Sequence, residues 1–306
     1  MRHLRTLQLI EAVARTGSIR KAAEDTNITA SALNRRINAF EEEFGSPIFE
    51  RLPRGMRLNP AGELVLGYYR KQKSELQRLH SQVADLSGRR RGHVTIACSQ
   101  ALLPFFLPEE VSRYRGEHPG VTFSINVRDR EKAEADLQAF RSDLALVFEP
   151  LQMADFKCIF ELPQTINVVM SAQHPLAEQQ TLRLRHCLAH VHIAPSPGLG
   201  VRDLLDVSAR RLGLDLQPVV ETESFELMRH YVLHEQVLGF QIPVGMRECA
   251  QAGVAGMVMR PLAVSDVPPG HLLLGHLRGR TLPVAAARFA QQLSNRLEEE
   301  AHRQVP

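Results

Sequence analysis

The sequence predicts an α/β protein in which a small N-terminal helical unit is joined by one long helix to a larger unit of alternating strands and helices. Apolar residues recur at helical spacing through most of residues 4–86, whereas from residue 93 onward strand-like apolar runs alternate with helical patterns. A chain of 306 residues is long enough for two or three domains. We predict an N-terminal domain, a connecting helix, a hinge and a C-terminal domain at residues 1–59, 60–88, 89–92 and 93–306.

The composition is that of an ordinary globular protein whose basic charge is concentrated at one end. Hydrophobic residues make up 44% of the chain, enough for sizeable cores. Residues 1–92 carry 17 Lys and Arg against 10 Asp and Glu, whereas the rest of the chain carries 20 against 24. This asymmetry indicates a polyanionic partner for the N-terminal unit alone.

Membrane insertion, secretion and metal binding are not favoured by the sequence. No run approaches the roughly 18 consecutive apolar residues that a membrane span needs. The N-terminus enters an amphipathic pattern rather than a signal-peptide core, so we expect a cytoplasmic protein. The cysteines lack metal-ligand spacing and are expected to be reduced core thiols, with a redox-sensing pair as the alternative. They are Cys98, Cys158, Cys187 and Cys249.

The N-terminal unit is predicted to contain a helix-turn-helix. We predict its three helices at residues 4–16, 19–25 and 30–44. Gly17 and Gly45 suit the left-handed positions that end the first and third helices. Ser18 and Thr29 can cap the second and third helices. A short second helix and a longer basic third helix, joined by a tight turn, define the motif.

The third helix presents a polar face opposite its buried stripe. The side chains on that face are Ser31, Asn34, Arg35 and Asn38. A recognition helix lies in the major groove with its first turns against base edges, where Asn pairs with adenine and Arg with guanine. Alone, this pattern is also typical of a solvated helix face, and the neighbouring motif favours DNA.

A hairpin with three arginines follows the third helix. Residues 48–58 hold two short apolar runs around a Pro-Arg-Gly turn, which predicts two strands and a wing. Arg51, Arg54 and Arg57 lie on this hairpin, where they would contact phosphates or enter the minor groove. Such contacts supply affinity more than sequence preference.

These elements resemble the DNA-binding domain of the LysR-type transcriptional regulators. The matching segments are SIRKAA at 18–23, TASALNR at 29–35, FE at 40–41, FGSPIFER at 44–51 and LNPAG at 58–62. The resemblance implies promoter-DNA contacts for the polar face, the wing and Thr29. The chain departs from the family at Ala30 and Asn34, where Gln and Ser are usual, so an unusual preferred DNA sequence is expected.

One long helix is predicted after the wing. Asn59-Pro60 is a typical helix opening, Gly88 is a stop, and no proline intervenes. A heptad seam runs along this helix through Val65, Tyr69, Gln72, Leu76, Leu79, Val83 and Leu86. A single buried helix would give a similar stripe, but the family uses the equivalent helix to dimerise, and we expect the same here. Residues 89–92 form a basic junction.

The C-terminal unit is predicted to alternate strands and helices. Predicted strands cover residues 93–97, 121–127, 144–148, 165–170, 217–221, 239–242 and 271–274. Predicted helices cover residues 102–115, 132–140, 201–212, 225–234 and 284–300. Strand–helix–strand order implies a parallel sheet covered by helices.

This order resembles the LysR-type effector domain, which is itself similar to periplasmic solute-binding proteins, with two α/β lobes and a ligand in the cleft between them. The matching segments are LPFFLP at 103–108, HP at 118–119, DLA at 143–145, HPLA at 174–177 and IP at 242–243. The resemblance implies a lobe I at about 93–163 and 267–300, and a lobe II at about 164–266. The family's usual Gly-x-Gly is reduced to Gly239, so one edge of the cleft is expected to differ.

Polar and glycine residues follow several predicted strands. Ligands of open α/β sheets bind beyond the carboxyl ends of strands, often on helix N-termini that attract anions. The candidate effector-binding residues are Ser99, Gln100, Ala101, Arg130, Phe148, Ser196, Gly198 and Thr222. Arg130 suits a carboxylate, which favours an organic acid as effector. An arginine in a charged loop is also typical of a solvated surface.

An enzyme and a secreted solute-binding protein are the alternative interpretations. The sequence has no P-loop, GxGxxG, HExxH or GxSxG motif and predicts no cofactor. His190 and His192 alternate as on a strand but lack a third ligand nearby, which favours ordinary strand histidines over a metal site. A solute-binding protein would carry a secretion signal and no helix-turn-helix. The sequence therefore predicts a regulator that binds double-stranded promoter DNA as a dimer or tetramer and responds to a small molecule.

Overall fold

The computed structural model describes residues 2–53, 55–86, 91–149, 154–244 and 256–304. The chain divides into two compact units, Met1–Leu79 and His80–Pro306. Arg54 of the predicted wing, the predicted helix stop Gly88, residues 89–90 of the basic junction and Cys249 lie outside the described residues. Within the described parts of the chain, no helix combines the length and apolar character that crossing a membrane requires.

The N-terminal unit contains the three predicted helices, the hairpin and the start of the long helix. Its elements are α1 (Arg2–Thr16), α2 (Ile19–Asp25), α3 (Ala30–Phe44), β1 (Phe49–Leu52), β2 (Gly55–Leu58) and α4 (Pro60–Leu86). Both predicted caps are present, since Ser18 accepts a hydrogen bond from the N–H of Lys21 and Thr29 accepts one from Ala32. Gly45 ends α3 with a φ of +77°, a left-handed conformation that glycine adopts without steric cost.

Hydrogen bonds to backbone atoms fix the hairpin to the helices. Oε1 of Glu41 on α3 accepts hydrogen bonds from the N–H groups of Ile48 and Phe49, at 2.7 and 3.2 Å. The N–H of Met56 on β2 donates to the carbonyl oxygen of Gly17 at 2.9 Å. These bonds set the position of the hairpin against α3 and against the turn that precedes α2.

Helix α4 has buried apolar side chains near its start and exposed ones further along. Val65 and Tyr69 pack into the core of the N-terminal unit. Their assignment to a seam between two chains is therefore wrong, because a unit this small needs both side chains to complete its own core. The exposed apolar side chains of α4 are Leu64, Tyr68, Leu76, Leu79 and Val83. The side chain of Leu86 lies outside the described residues.

The C-terminal unit consists of two α/β lobes. Its strands are β3 (Gly92–Cys98), β4 (Val121–Val127), β5 (Leu144–Phe148), β6 (Phe156–Gln164), β7 (Asn167–Ser171), β8 (Ile193–Pro195), β9 (Val220–Thr222), β10 (Gly239–Gln241), β11 (Met257–Pro261) and β12 (Gly270–Leu277). Its helices are α5 (Phe106–Glu117), α6 (Arg130–Gln138), α7 (Leu184–Leu188), α8 (Gly200–Arg211), α9 (Phe225–His234) and α10 (Val284–Gln304), with a 3₁₀ turn at Gln100–Leu102.

The sheets of the two lobes differ in strand direction. Lobe I has a five-stranded sheet in the order β4-β3-β5-β12-β6, in which β3 is parallel to β4 and β5. The predicted parallel arrangement therefore holds for β3, β4 and β5, whereas β12 is antiparallel to β5 and β6. Lobe II contains the antiparallel sheet β10-β7-β11 and the parallel pair β8-β9.

Two predicted helices of lobe I begin at different residues in the structure. The helix predicted at 102–115 is interrupted, and α5 starts only at Phe106. Pro104 lacks an N–H and restricts the residue before it, which separates the 3₁₀ turn from α5. Helix α6 starts at Arg130 rather than at residue 132, because the side chain of Asp129 caps it by accepting from the N–H of Lys132 at 2.8 Å.

The cysteines occupy different environments. Cys98 and Cys187 are buried core thiols, and burial raises the pKa of each to about 12. Cys158 is exposed, so its assignment to the core is wrong. It lies on β6, whose outer face reaches solvent.

Candidate DNA-binding surface and effector cleft

Helix α3 separates its packing residues from its polar residues. Leu33 and Ile37 are buried in the N-terminal core. On the other side, Ser31 and Arg35 are exposed and Asn34 and Asn38 are half-buried. These four side chains therefore share the face that the sequence predicted. An exposed polar face with a guanidinium and two amides has the hydrogen-bonding groups that base edges require.

Two further features of α3 bear on a DNA surface. Thr29 caps the helix and its Oγ1 lies 3.2 Å from the hydroxyl of Ser31, so these two side chains form one polar pair at the helix start. Arg36, which the sequence interpretation omitted, is also exposed. Its place beside Arg35 adds a second cation to the same part of the helix.

The wing arginines differ in their charge partners. In the antiparallel hairpin β1-β2, Arg57 lies opposite Glu50 and pairs with it at 2.9 Å. Arg51 is exposed and lies opposite Met56. Because Glu50 neutralises part of its charge, Arg57 has less cationic character to offer a phosphate than Arg51 has.

A cavity of about 300 Å³ lies between lobe I and lobe II. Five of the predicted effector residues line it, and they are Ser99, Gln100, Arg130, Phe148 and Gly198. The lining also includes Arg128, Asp129 and Glu223, which follow predicted strands but were not selected as candidates, and Lys132, Gly200 and Phe225, which the sequence interpretation missed. The site thus brings the carboxyl ends of strands in lobe I against the N-termini of α8 and α9 in lobe II.

The other three predicted effector residues lie outside the described cavity lining. Ala101 is buried beneath it, and its N–H donates to the hydroxyl of Ser99. The N–H of Ser196 donates to the carbonyl of Thr222 at 2.9 Å, so both residues continue the pairing of β8 and β9. Thr222 uses its hydroxyl to accept from the N–H of Ser224 at 3.0 Å. The backbone of Ser196 and the hydroxyl of Thr222 are therefore engaged in local hydrogen bonds at the strand ends.

Two cations of the cleft are paired within lobe I. Arg128 Nε lies 2.6 Å from a carboxylate oxygen of Asp136, and Lys132 Nζ lies 2.6 Å from one of Asp129. Burial opposes ionisation of both aspartates, but hydrogen bonds from their basic partners outweigh it and lower both pKa values. Both carboxylates are therefore ionised at neutral pH.

Arg130 is the cation that crosses the cleft. Its Nη1 donates to the carbonyl oxygen of Glu149 at 2.9 Å, and its Nη2 donates to the carboxylate of Asp203 in the first turn of α8. The side chain is only 14% exposed, so the solvated-surface interpretation of Arg130 is wrong. Its Nε is buried and has no hydrogen-bond partner among the described residues.

Two more contacts join the lobes across the cavity. Oε1 of Gln100 accepts a hydrogen bond from the N–H of Phe225 at the start of α9, at 3.0 Å. At Gly200, the first residue of α8, an added Cβ would lie 2.6 Å from the carbonyl oxygen of Phe148. Glycine at this position therefore permits the backbone of α8 to approach the end of β5.

The predicted histidine pair lies away from this cavity. Nδ1 of His192 is hydrogen-bonded to the carbonyl oxygen of His190 at 2.8 Å. His190 stacks edge-on with His174 at a centroid distance of 5.0 Å. In the part of the chain that the structure describes, no group of three or more His, Cys, Asp or Glu residues could hold a metal ion.

The fold and the two sites define a DNA-binding regulator with a ligand-sensing domain. Residues 4–63 match the family model "Bacterial regulatory helix-turn-helix protein, lysR family", and residues 87–298 match "LysR substrate binding domain". The chain belongs to the LysR family of transcriptional regulators. It is a transcriptional regulator and not an enzyme, with a helix-turn-helix domain for DNA and an effector-binding domain.

Curated relatives and solved structures agree with this assignment. The transcriptional activator CmpR of Synechocystis is 26% identical over 296 residues, which cover 95% of this chain and 94% of that protein. A RuBisCO operon transcriptional regulator of Allochromatium vinosum is 27% identical over 203 residues, 66% of this chain and 67% of that protein. A full-length OxyR variant from Pseudomonas aeruginosa has the same fold, with a TM-score of 0.70 at 18% identity over 96% of this chain and 94% of that one. CbnR in complex with its target DNA has a TM-score of 0.64 at 15% identity over 96% of this chain and 99% of that one.

Proposed function

We propose that this regulator binds promoter DNA in the cytoplasm as a dimer or tetramer and that a small organic anion in the cleft controls its activity. The recognition helix α3 reads base edges through Ser31, Asn34, Arg35 and Asn38. Arg51, Arg54 and Arg57 bind the phosphate backbone, and Thr29 orders the helix start. The chains pair through the exposed apolar side chains of α4.

The effector proposal rests on the environment of Arg130. A guanidinium that is 14% exposed, at the wall of a 300 Å³ cavity and with a free buried Nε–H, is a suitable donor for a carboxylate or phosphate. The N-terminus of α8, at Gly198 to Gly200, faces the same cavity, and free N–H groups at a helix start attract anions. A cavity of this volume holds roughly ten water-sized groups, so the ligand is a small acid.

The DNA-binding proposal is tested by incubating the full-length protein with fragmented genomic DNA from its source and sequencing what it retains. We expect sharp enrichment at a few promoters whose sites show dyad symmetry. Retention of DNA fragments without sharp peaks, lost to the same extent for all sequences when salt is raised, would contradict sequence-specific binding by α3.

The effector proposal is tested with the promoter fragment so obtained. Pools of small organic acids are added to the protein–DNA complex, and operator affinity and thermal stability are measured for the wild type and for Arg130→Ala. We expect at least one acid to change both readouts in the wild type and neither in Arg130→Ala. An acid that acts equally on both proteins would place its site outside this cleft.

A further inference from the structure

Every described cation that lines the cleft already has a carboxylate partner. Arg128 pairs with Asp136, Lys132 with Asp129, and Arg130 with Asp203. An anion that enters the cleft therefore meets cations that are already paired with carboxylates. Strong binding requires that the anion replace one of these carboxylates. The identity of the replaced carboxylate decides which anions the site accepts.

The pair between Arg130 and Asp203 differs from the other two in position and exposure. It joins α6 of lobe I to α8 of lobe II, whereas the other pairs lie within lobe I. The side chain of Arg130 is 14% exposed, compared with 35% for Arg128 and 72% for Lys132. Charge interactions strengthen as water is excluded, so Arg130 is the strongest anion-binding group in the cleft and Asp203 is its resident partner.

The hydrogen bonds of Arg130 show that Asp203 pairs with only one of its two adjacent donor nitrogens, Nη2 and Nε. Elsewhere in the same unit, Arg183 binds Asp266 through both Nε and Nη2, at 2.8 and 2.7 Å. Arg130 uses Nη2 for Asp203 but leaves Nε buried without a partner among the described residues. A ligand carboxylate or phosphate that takes the place of Asp203 on Nη2 would gain a second hydrogen bond if it also reached Nε, in the two-point geometry that Arg183 shows.

We infer that Asp203 is a specificity-determining residue, a built-in competitor that restricts the cleft to dianionic effectors. A monocarboxylate that displaces Asp203 exchanges one carboxylate for another and gains little charge interaction. A dicarboxylate or phosphate brings a second negative charge to the N-terminus of α8. This inference rests on the proposed function, because it assigns the effector to the same arginine.

The displaced carboxylate also links binding to lobe position. Asp203 moves with α8, so its release from Arg130 breaks an ion pair between the lobes. A dianion that replaces this pair favours a lobe arrangement in which Asp203 is free, and a ligand shifts such an equilibrium by its differential affinity for the two arrangements.

The test is calorimetric titration of the full-length protein with succinate, a dicarboxylate, and butyrate, a monocarboxylate of similar length. The variants are Asp203→Asn and the matched control Asp206→Asn, which lies one turn further along α8 and pairs with Arg202 on the same helix. We expect the wild type and Asp206→Asn to prefer succinate over butyrate by at least about tenfold, or about 1.4 kcal/mol. Asp203→Asn should bind butyrate about tenfold more tightly than the wild type and lose most of this preference.

Two additional variants separate the possible failures. Asp203→Ser repeats the test if the asparagine variant does not fold, and the unfolding temperature of each variant is recorded. An unchanged succinate preference in both Asp203 variants, or no binding of either acid by them, would overturn the role of Asp203. If Arg130→Ala abolishes succinate binding in that case, the proposed site stands and only the inference fails. If Arg130→Ala binds succinate as well as the wild type, the proposed site itself is wrong.

Discussion

The proposed DNA surface and the proposed effector cleft of this regulator differ in how their arginines are paired. On α3, Arg35 and Arg36 are exposed. In the cleft, Arg128 and Arg130 are tied to carboxylates of the protein. A DNA surface works with exposed cations because phosphates are numerous and their binding releases counterions. A small-ligand site gains selectivity when its cations are already paired, because each ligand must compete with a carboxylate of the protein for the cation.

The two compact units have separate cores, so we expect that each can be disabled without the other. Leu33 is fully buried in the N-terminal core, and Leu33→Ala should destabilise that unit by about 3 kcal/mol because it leaves a cavity. Calorimetric unfolding should show a loss confined to one transition, with promoter binding reduced and succinate binding retained. The mirror variant Leu274→Ala, in the core of lobe I, should reverse this pattern. Equal damage to both activities by either variant would contradict the independence of the two units.

The close approach of α8 to β5 can be disrupted by adding a single methyl group at Gly200. Gly200→Ala would place its Cβ 2.6 Å from the carbonyl oxygen of Phe148, so the lobes must shift or the backbone must strain, at a cost of up to about 3 kcal/mol. We expect weaker succinate binding and a lower unfolding temperature. Gly116→Ala is the control, since its Cβ meets no atom within 4 Å. Wild-type binding by Gly200→Ala would show that the cleft does not need this contact.

The proposed role of α3 in reading base pairs can be tested by comparing the neighbouring residues Arg35 and Arg36. Arg35→Ala should weaken operator binding by about 2 kcal/mol and relax discrimination at one base pair, because a base contact is lost. Arg36→Ala should weaken operator and non-specific DNA to similar extents. Competition binding with operator variants distinguishes the two effects. Unchanged discrimination in Arg35→Ala would remove its assigned role.

A smaller effect is expected from Ser99 in the cleft. Ser99 lines the cavity, and its hydroxyl accepts a long hydrogen bond, 3.4 Å, from the N–H of Ala101, which leaves the O–H able to donate to a ligand. Ser99→Ala should weaken succinate binding by about 1 kcal/mol, the typical contribution of one hydrogen bond, and leave promoter binding intact. Titration and gel-shift measurements on the same preparation test this. Equal loss of both activities would identify Ser99 as a structural residue.

The smallest effect concerns the wing. Arg51→Gln should reduce the slope of log affinity against log salt by about 1, as expected for loss of one phosphate contact. Arg57→Gln should reduce it less, because Glu50 already neutralises part of its charge at 2.9 Å. Operator affinity measured across a salt series gives both slopes. A larger change for Arg57 would mean that DNA separates it from Glu50.

Local sequence signals were sufficient for the N-terminal unit. Helices α2 and α3 have the predicted bounds, because Ser18, Thr29 and Gly45 act on backbone groups within a few residues of themselves. Strands β4 and β5 and helix α9 also match their predicted ranges. Strands β6, β8 and β11 and helix α7 were missed. Strand β6 alternates irregularly between buried and exposed positions, so it lacks the continuous apolar run that marked the other strands.

The sequence by itself determined the family, the helix-turn-helix and the strand ends that surround the cleft, since these depend on periodicity, capping and short motifs. Tertiary structure decided which part of the apolar stripe of α4 completes a core and which part is exposed. It also decided that Ser196 and Thr222 bond to each other rather than line the cavity. The ion pair of Arg130 with Asp203 joins residues 73 positions apart. No local pattern encodes such a partner, because the free energy of a charge depends on the groups and the water that the folded chain places around it.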